Sequence, residues 1–400
     1  MSRLKRRLYR WWKWLFWRSL VTLAVVSLLG FLFGPVIQWY LRGVLPLDVL
    51  VVNYTMPHRN DRKHRGLFWL LYHDKVQPPA GKTDWSSLRD FVGYRPGRPP
   101  KEAETLSKKK RKRPQLLYLA DTYGVYRDDL KNAKLWLRPV YIDRSPKVFG
   151  GLTWKDARLI RRWVKQGTHL VVEFNSMCEP TGNGPRRVLS NLVGMSWTGW
   201  VGKVFQNPGD VLETPRWLRK SFKQQFPKQE FPTEPTLFLI NRKGKLVFYT
   251  DPSVKKVSPR LVQTEEGKKR FPGTQTPVMY TFWFAIVGFH RNLRPKVHTH
   301  FHMPNHPAFR KKLQANKIPD VFPAITERKC GTKSRCLYMA ADLSDADFEP
   351  GGFKRTDVIL MRRWTSPQDT SNAVASFWLL YVPIMRTWLH EIAKETKPKK

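Results

Sequence analysis

Apolar positions in this chain fall into one long uninterrupted block followed by a series of short, strand-sized runs. The block is Ser19–Leu41, SLVTLAVVSLLGFLFGPVIQWYL, bounded by Arg18 and Arg42. At about 1.5 Å per residue it reaches about 35 Å, enough to span a hydrocarbon core of about 30 Å with some tilt. It exceeds the h-region of a signal peptide and no A-x-A-like site follows it, so it predicts an uncleaved transmembrane anchor over 19–41. Aromatic residues flank it on both sides, Trp11, Trp12, Trp14, Phe16 and Trp17 before and Trp39 and Tyr40 at its end, as interfacial belts do.

The shorter runs predict alternating strands and helices. Asp48–Tyr54 (DVLVVNY) and Gln115–Asp121 (QLLYLAD) are continuous, β-branched or aliphatic, and bounded by polar residues, the pattern of strands buried on both faces. Between them lie a helix-spaced stretch, Gly66–Tyr72, and a Pro/Lys-rich insertion over 78–114. In Gly151–Asn175, Thr153 and Asp156 have capping-box spacing, and Ala157, Ile160, Trp163 and Val164 mark one helical face. Gly167 then stands where a left-handed cap belongs, and Leu170–Phe174 follows as a strand. Arg186–Val193 reads as helix, and Thr236–Asn241 with Lys245–Thr250 as a hairpin. Tyr280–Gly288 is apolar but too short to span a bilayer. Leu337–Ala341 is a further strand, and Ala373–Ala393 a packed helix kinked at Pro383.

Charge sets orientation. The head, residues 1–18, holds seven basic residues and no acid, which predicts a cytoplasmic N-terminus and an extracytoplasmic domain over 46–395. The whole chain carries 72 Lys+Arg against 31 Asp+Glu, a net charge of +41. That field attracts polyanions, among them wall polymers, acidic polysaccharide and anionic headgroups. The basic hexamer Lys108–Arg113 resembles a nuclear-localisation run, but behind an anchor it reads as an exposed loop, and nucleic acid is disfavoured as a partner. Of three cysteines, Cys330 and Cys336 flank a turn-forming segment, GTKSR, and in an oxidising compartment predict a hairpin disulfide, with Cys178 left reduced.

The strand ending VVNY, then ADTYGVY, then GGLTWKDARLIRRWVKQGTHLVVEFN, resemble the class I glutamine-amidotransferase-like fold, in particular its ThuA-like and β-galactosidase-trimerisation branches. The resemblance covers about Asp48–Asn241. It implies an α/β domain with a doubly wound, mainly parallel sheet and insertions. A working amidotransferase needs a cysteine on a strand-to-helix elbow and a later His-x-Glu pair. Cys178 lies four residues past Phe174 and no His-x-Glu occurs, so the resemblance implies the fold without the triad, and no catalytic residue is assigned.

In such a fold the strand C-termini converge on one crevice. That gathers Asn53, Tyr54, Asp121, Tyr123, Glu173 and Asn175 as candidate ligand-binding residues, with Trp200 and its neighbour Trp197 as stacking faces. Asp and Asn are also ordinary turn-capping residues. His298, His300 and His302 in HTHFHMPNH would share one face of a strand, as a zinc site requires, although no carboxylate lies between Gly288 and Pro319. The leading expectation is therefore a non-catalytic, membrane-anchored envelope protein that binds a carbohydrate, an anionic polymer or an envelope partner. The alternative is a metal-dependent hydrolase of a cell-surface polymer, using the histidines with Asp121 and Glu173.

Overall fold

The computed structural model describes residues 3–109, 111–131, 145–211, 213–346, 348, 350, 351, 354–368 and 374–396. Residues 1 and 2 of the basic head, Lys110 of the basic hexamer and Ala373 of the terminal helix lie outside them. Arg3–Leu41 is one helix of 39 residues, long and apolar enough to cross a membrane, and its most apolar 18-residue window is uncovered by the rest of the chain.

The chain after the helix builds an α/β fold around a nine-stranded mixed sheet. Its order is Val278–Met279, Arg260–Gln263, Lys296–His302, Val321–Lys329, Arg335–Met339, His169–Glu173, Leu116–Asp121, Val49–Asn53 and Phe91–Gly93. The last five are parallel, and four of them, Phe91–Gly93, Val49–Asn53, Leu116–Asp121 and His169–Glu173, are buried throughout, which is why the longer three run apolar without alternation. The first four are antiparallel, so the sheet is mixed, and the mainly parallel order expected of it holds for one half. Connection length accounts for this: a turn as short as Cys330–Ser334 can only join antiparallel neighbours, whereas the parallel half is linked by helical crossovers. The Cys330–Cys336 disulfide closes that turn, with Cα atoms 5.8 Å apart.

A second, four-stranded antiparallel sheet, Phe284–Phe289, Met195–Phe205, Thr236–Asn241 and Leu246–Thr250, includes the predicted hairpin. Its outer face is sealed by the Arg216–Gln225 helix, where Leu218 and Phe222 pack with Phe205, Phe238 and Ile240.

Local signals explain the helices. Trp154–Lys165 opens with a complete capping box, Thr153 Oγ1 accepting from Asp156 N and Asp156 Oδ2 from Thr153 N. In the terminal helix Pro383 cannot donate to the Leu379 carbonyl one turn back. The chain widens into a π turn over Phe377–Tyr381, and Gln275 N donates to that carbonyl instead, at 3.0 Å.

The anchor docks onto this body through its last turn. Trp39 Nε1 donates to the His73 carbonyl at the end of the Arg62–His73 helix. Beside it, Asp74 is fully buried and paired with Arg42, Arg386 and His390. Burial opposes ionisation of Asp74, but His390 and Arg386 hold its carboxyl below the usual range.

Candidate functional site

Parallel strands aim their C-termini at one edge of a sheet, and here a cleft of about 570 Å³ opens at that edge, roofed by the second sheet. Asp121, at the end of its strand, is held from three sides. Thr55 Oγ1 donates to it at 2.6 Å, Tyr123 N at 2.7 Å and Asn175 Nδ2 at 2.9 Å. Gly124, with φ of +103°, lines the rim beside Tyr123, and Gly150, with φ of +129°, packs against it. Their backbones lie in contact, so a Cβ on either would collide with the other.

The cleft floor is a charge cluster around Lys63, in the first turn of the Arg62–His73 helix. Lys63 Nζ lies 2.7 Å from Asp342, 2.9 Å from Asp345 and 3.8 Å from Asp121, and Arg62 adds a 2.6 Å contact to Asp345. Burial disfavours the Lys63 ammonium, but the three carboxylates raise its pKa well above the usual value. The two flanking aspartates are driven apart. Asp342 is pushed up to about 7 by burial and by Asp345 and Asp121, against the pull of Lys63. Burial acts on Asp345 too, but Arg62 and Lys63 together hold it well below the usual range. Asp342 Oδ1 is buried in the cleft wall with no hydrogen-bond partner. Its backbone is fixed from behind, Asp342 N donating to Tyr280 Oη, which in turn donates to the Trp283 carbonyl.

Of the residues expected in the crevice, Asp121, Tyr123 and Asn175 line it. The others stand behind or beside it. Asn53 is buried, with Nδ2 2.6 Å from His64 Nδ1 and Oδ1 accepting from Thr55 N. Since His64 Nε2 meets the Ser87 carbonyl, its Nδ1 is the acceptor and the ring is neutral; burial pulls its pKa down to about 4. Tyr54 spends its hydroxyl on Asp156 and Leu106 N, tying the strand to the capped helix. Glu173 is fully buried and accepts from Tyr118 Oη and from Ser344 N and Oγ; burial and Asp342 raise its pKa well above the usual range. Of the two expected stacking faces, Trp200 is buried in the roof sheet and Trp197 faces the cleft.

Cys178 reaches the cleft wall but is buried, and burial pushes its thiol up, so at neutral pH it is a thiol and not a nucleophilic thiolate. The three strand histidines do not converge. A bulge between Val297 and His300 breaks the alternation that would have aligned them. His298 is buried against Phe271, 3.3 Å from Glu327, while His300 and His302 stand side by side with ring centroids 6.5 Å apart. Among the described residues no group of three or more His, Cys, Asp or Glu side chains is arranged to hold a metal.

Lys63, Asp342, Asp345, Phe282 and Trp283 were missed by sequence reasoning. The signal available was DLSD directly after the Leu337–Ala341 run, a polar group at a strand C-terminus like those at Asp121 and Asn175. Lys63 had none, because it enters from a helix N-terminus.

The lining has a distinctive character. Among described residues it carries seven Asp and Glu against four Lys and Arg, an acid excess within a chain of net charge +41. Aromatic rings from Tyr123, Tyr126, Trp197, Trp217, Phe282 and Trp283 share the walls. The floor lies at Lys63, ten residues along its helix from the His73 carbonyl that receives the anchor, about 15 Å at helical rise.

No protein family and no curated protein matches this chain by sequence. Among solved structures it is similar to the GH42 β-galactosidase Gan42B, at 8% identity over 74% of this chain and 28% of that one, with a TM-score of 0.32. It is also similar to the exo-β-1,4-mannosidase Op5Man5 from Opitutaceae bacterium strain TAV5, at 10% identity over 85% and 36%, with a TM-score of 0.33. A third likeness is to a ThuA-like protein from Parabacteroides merdae, at 12% identity over 84% and 90%, with a TM-score of 0.35. The chain thus spans about a third of the length of the two glycosidases, and likenesses of this size assign it no activity.

Proposed function

We propose that this chain is a single-pass, N-in envelope protein whose extracytoplasmic cleft binds a neutral or amine-bearing saccharide. The frame is class I amidotransferase-like, without that family's activated thiolate. The observation that carries the reading is the cleft lining, aromatic and acidic inside a strongly basic chain. Ring faces cover the C–H faces of a sugar, and carboxylates and amides accept its hydroxyl protons. The acid excess repels polyphosphate and polysulfate from the cleft, so an anionic wall polymer or a headgroup would meet the basic exterior instead.

The test is calorimetric titration of the full chain in phosphatidylcholine nanodiscs with chito-oligosaccharide, its deacetylated form, and dextran sulfate. Saturable binding of either of the first two, lost in Asp342→Asn and Trp283→Ala, is expected. Binding of dextran sulfate that those substitutions abolish, or no saccharide binding at all, would overturn it.

A hydrolytic reading has one observation behind it, the buried, unpartnered Asp342 Oδ1, placed to give a proton to a bound ligand. Release of reducing ends in the same mixtures, absent in Asp342→Asn, would favour it over binding alone.

A further inference from the structure

The Val358–Thr365 helix carries an apolar stripe that the fold leaves uncovered. Val358 and Ile359 face inward and are 7% and 8% exposed, whereas Leu360, Met361 and Trp364 are 49%, 48% and 78% exposed. Positions i, i+1 and i+4 share one side of a helix, so these three form a single outward face. Arg362 and Arg363, in the last turn, lie off that face, Arg363 turning its buried Nε toward the body.

What lies beside that face is fixed by the preceding residues. Arg355 Nη1 donates to the Leu32 carbonyl at 3.1 Å, Thr356 N to the Pro35 carbonyl at 3.2 Å, and Thr356 Oγ1 to Gln38 Oε1 at 3.1 Å. Lys354 Nζ stands 5.9 Å from the centroid of the Tyr40 ring. These four contacted residues, Leu32, Pro35, Gln38 and Tyr40, belong to the second half of the apolar run. At helical rise, Pro35 and Leu32 lie about 9 Å and about 14 Å below Leu41, on the bilayer side of the run's outer end. The domain therefore reaches past the end of the anchor, into the depth of the outer headgroup and upper acyl layer. The Val358–Thr365 helix, with its exposed stripe, begins two residues after Thr356.

We propose that the Val358–Thr365 helix is a second membrane contact, lying along the leaflet from which the anchor emerges. Leu360, Met361 and Trp364 enter the boundary of headgroups and acyl chains, about 5–10 Å deep, as interfacial helices do. Lys354, exposed beside the Tyr40 ring, meets lipid phosphates, which a leaflet with anionic headgroups strengthens. With anchor and helix both engaged, the body is held at a fixed tilt, and the cleft floor is kept about 15 Å from the point where the anchor docks. The inference rests on the spanning reading of 19–41 and not on the identity of the cleft ligand.

The experiment uses the full chain in vesicles of phosphatidylcholine and phosphatidylglycerol, labelled with an environment-sensitive fluorophore at a single introduced cysteine. Three variants are compared: Met361→Cys, Val25→Cys within the apolar run, and Lys223→Cys on the exposed side of the helix that begins at the cleft-lining Pro215 and Trp217. Lipids spin-labelled at a shallow or a deep acyl position serve as quenchers. Blue-shifted emission at 361 with stronger quenching by the shallow label, deep quenching at 25, and water-like emission at 223 are expected. Quenching at 25 with water-like emission at 361 would overturn the second contact alone. Blue-shifted emission at 361 without lipid quenching would assign the stripe to a second copy or another protein, and overturn it equally. No lipid quenching at 25 would overturn the anchor and this inference together.

Discussion

Among the described residues Lys63 is the one ammonium within 4 Å of Asp342, Asp345 and Asp121, and replacing it with Met makes a prediction with a characteristic pH signature. Asp345 keeps Arg62 and Asp121 keeps its three hydrogen-bond donors, so the carboxyl left without a partner is Asp342. Removing one member of a buried ion pair costs about 3–5 kcal/mol. For a body of this size that is a fall in Tm of about 4–7 °C near neutral pH. The dependence on pH is the sharper test. In the wild type Asp342 has a native pKa of about 7, raised above its unfolded value, so it contributes no slope to stability above that pH. Without Lys63 its native pKa rises further. The native variant then holds a proton that the unfolded chain has already released, and its stability falls as pH increases. The gap between variant and wild type should widen by about 1.4 kcal/mol per pH unit above pH 7 until the new pKa is passed. Below pH 6 both native forms are protonated at Asp342, and the gap should be constant. Thermal unfolding of the full chain in nanodiscs, followed by tryptophan emission from pH 5 to 9, reads this directly. A gap independent of pH, or a Lys63→Met, Asp342→Asn double variant that keeps the widening, would refute the assignment of Asp342 as the stranded group.

Two further outcomes are expected. His64 has a native pKa of about 4, below its unfolded value, so protons bind the unfolded chain first and stability falls as pH drops from 6.5 to 4, by on the order of 3 kcal/mol from this group. His64→Gln should lose less stability than wild type between pH 6.5 and 4.5, and an equal loss would show that the ring is not held neutral by the Asn53 and Ser87 contacts. Cys330 and Cys336 are bridged and Cys178 is buried and reduced, so denatured, unreduced protein should expose one reactive thiol and reduced protein three. Three thiols without reductant would reject the bridge, whose short loop stabilises by about 2 kcal/mol.

What the sequence made legible divides along a physical line. Contacts between near neighbours in the chain left a local trace: the continuous apolar strands, the Thr153–Asp156 box, the Thr236–Thr250 hairpin, the Cys330–Cys336 turn. Each is specified by residues within a few positions of one another, so spacing alone identifies it. The cleft is different in kind. Its position at the strand C-termini followed from the parallel half of the sheet, which is why Asp121, Tyr123 and Asn175 were found. Pleat phase then decided which neighbours face it. Glu173 ends a strand as Asp121 does, yet its side chain turns into the core beneath Ser344, and of the two tryptophans expected as stacking faces Trp197 reaches the cleft while Trp200 is buried, on a roof strand whose pairing shifts register opposite Ile286–Val287. A one-residue change of phase reverses a side chain's direction, and no periodicity in the sequence records a bulge. The same cause dispersed the histidines. The charge centre was less legible still, because Lys63 and Asp342 are separated by 279 residues. Their pairing exists only once the Arg62–His73 helix and the DLSD turn arrive at the same sheet edge. The net charge of +41 pointed to polyanions, but a sum over the chain weighs every surface lysine alike. The lining of the cleft has the opposite sign, and it is the local field, in a partly enclosed and weakly screened space, that a ligand meets.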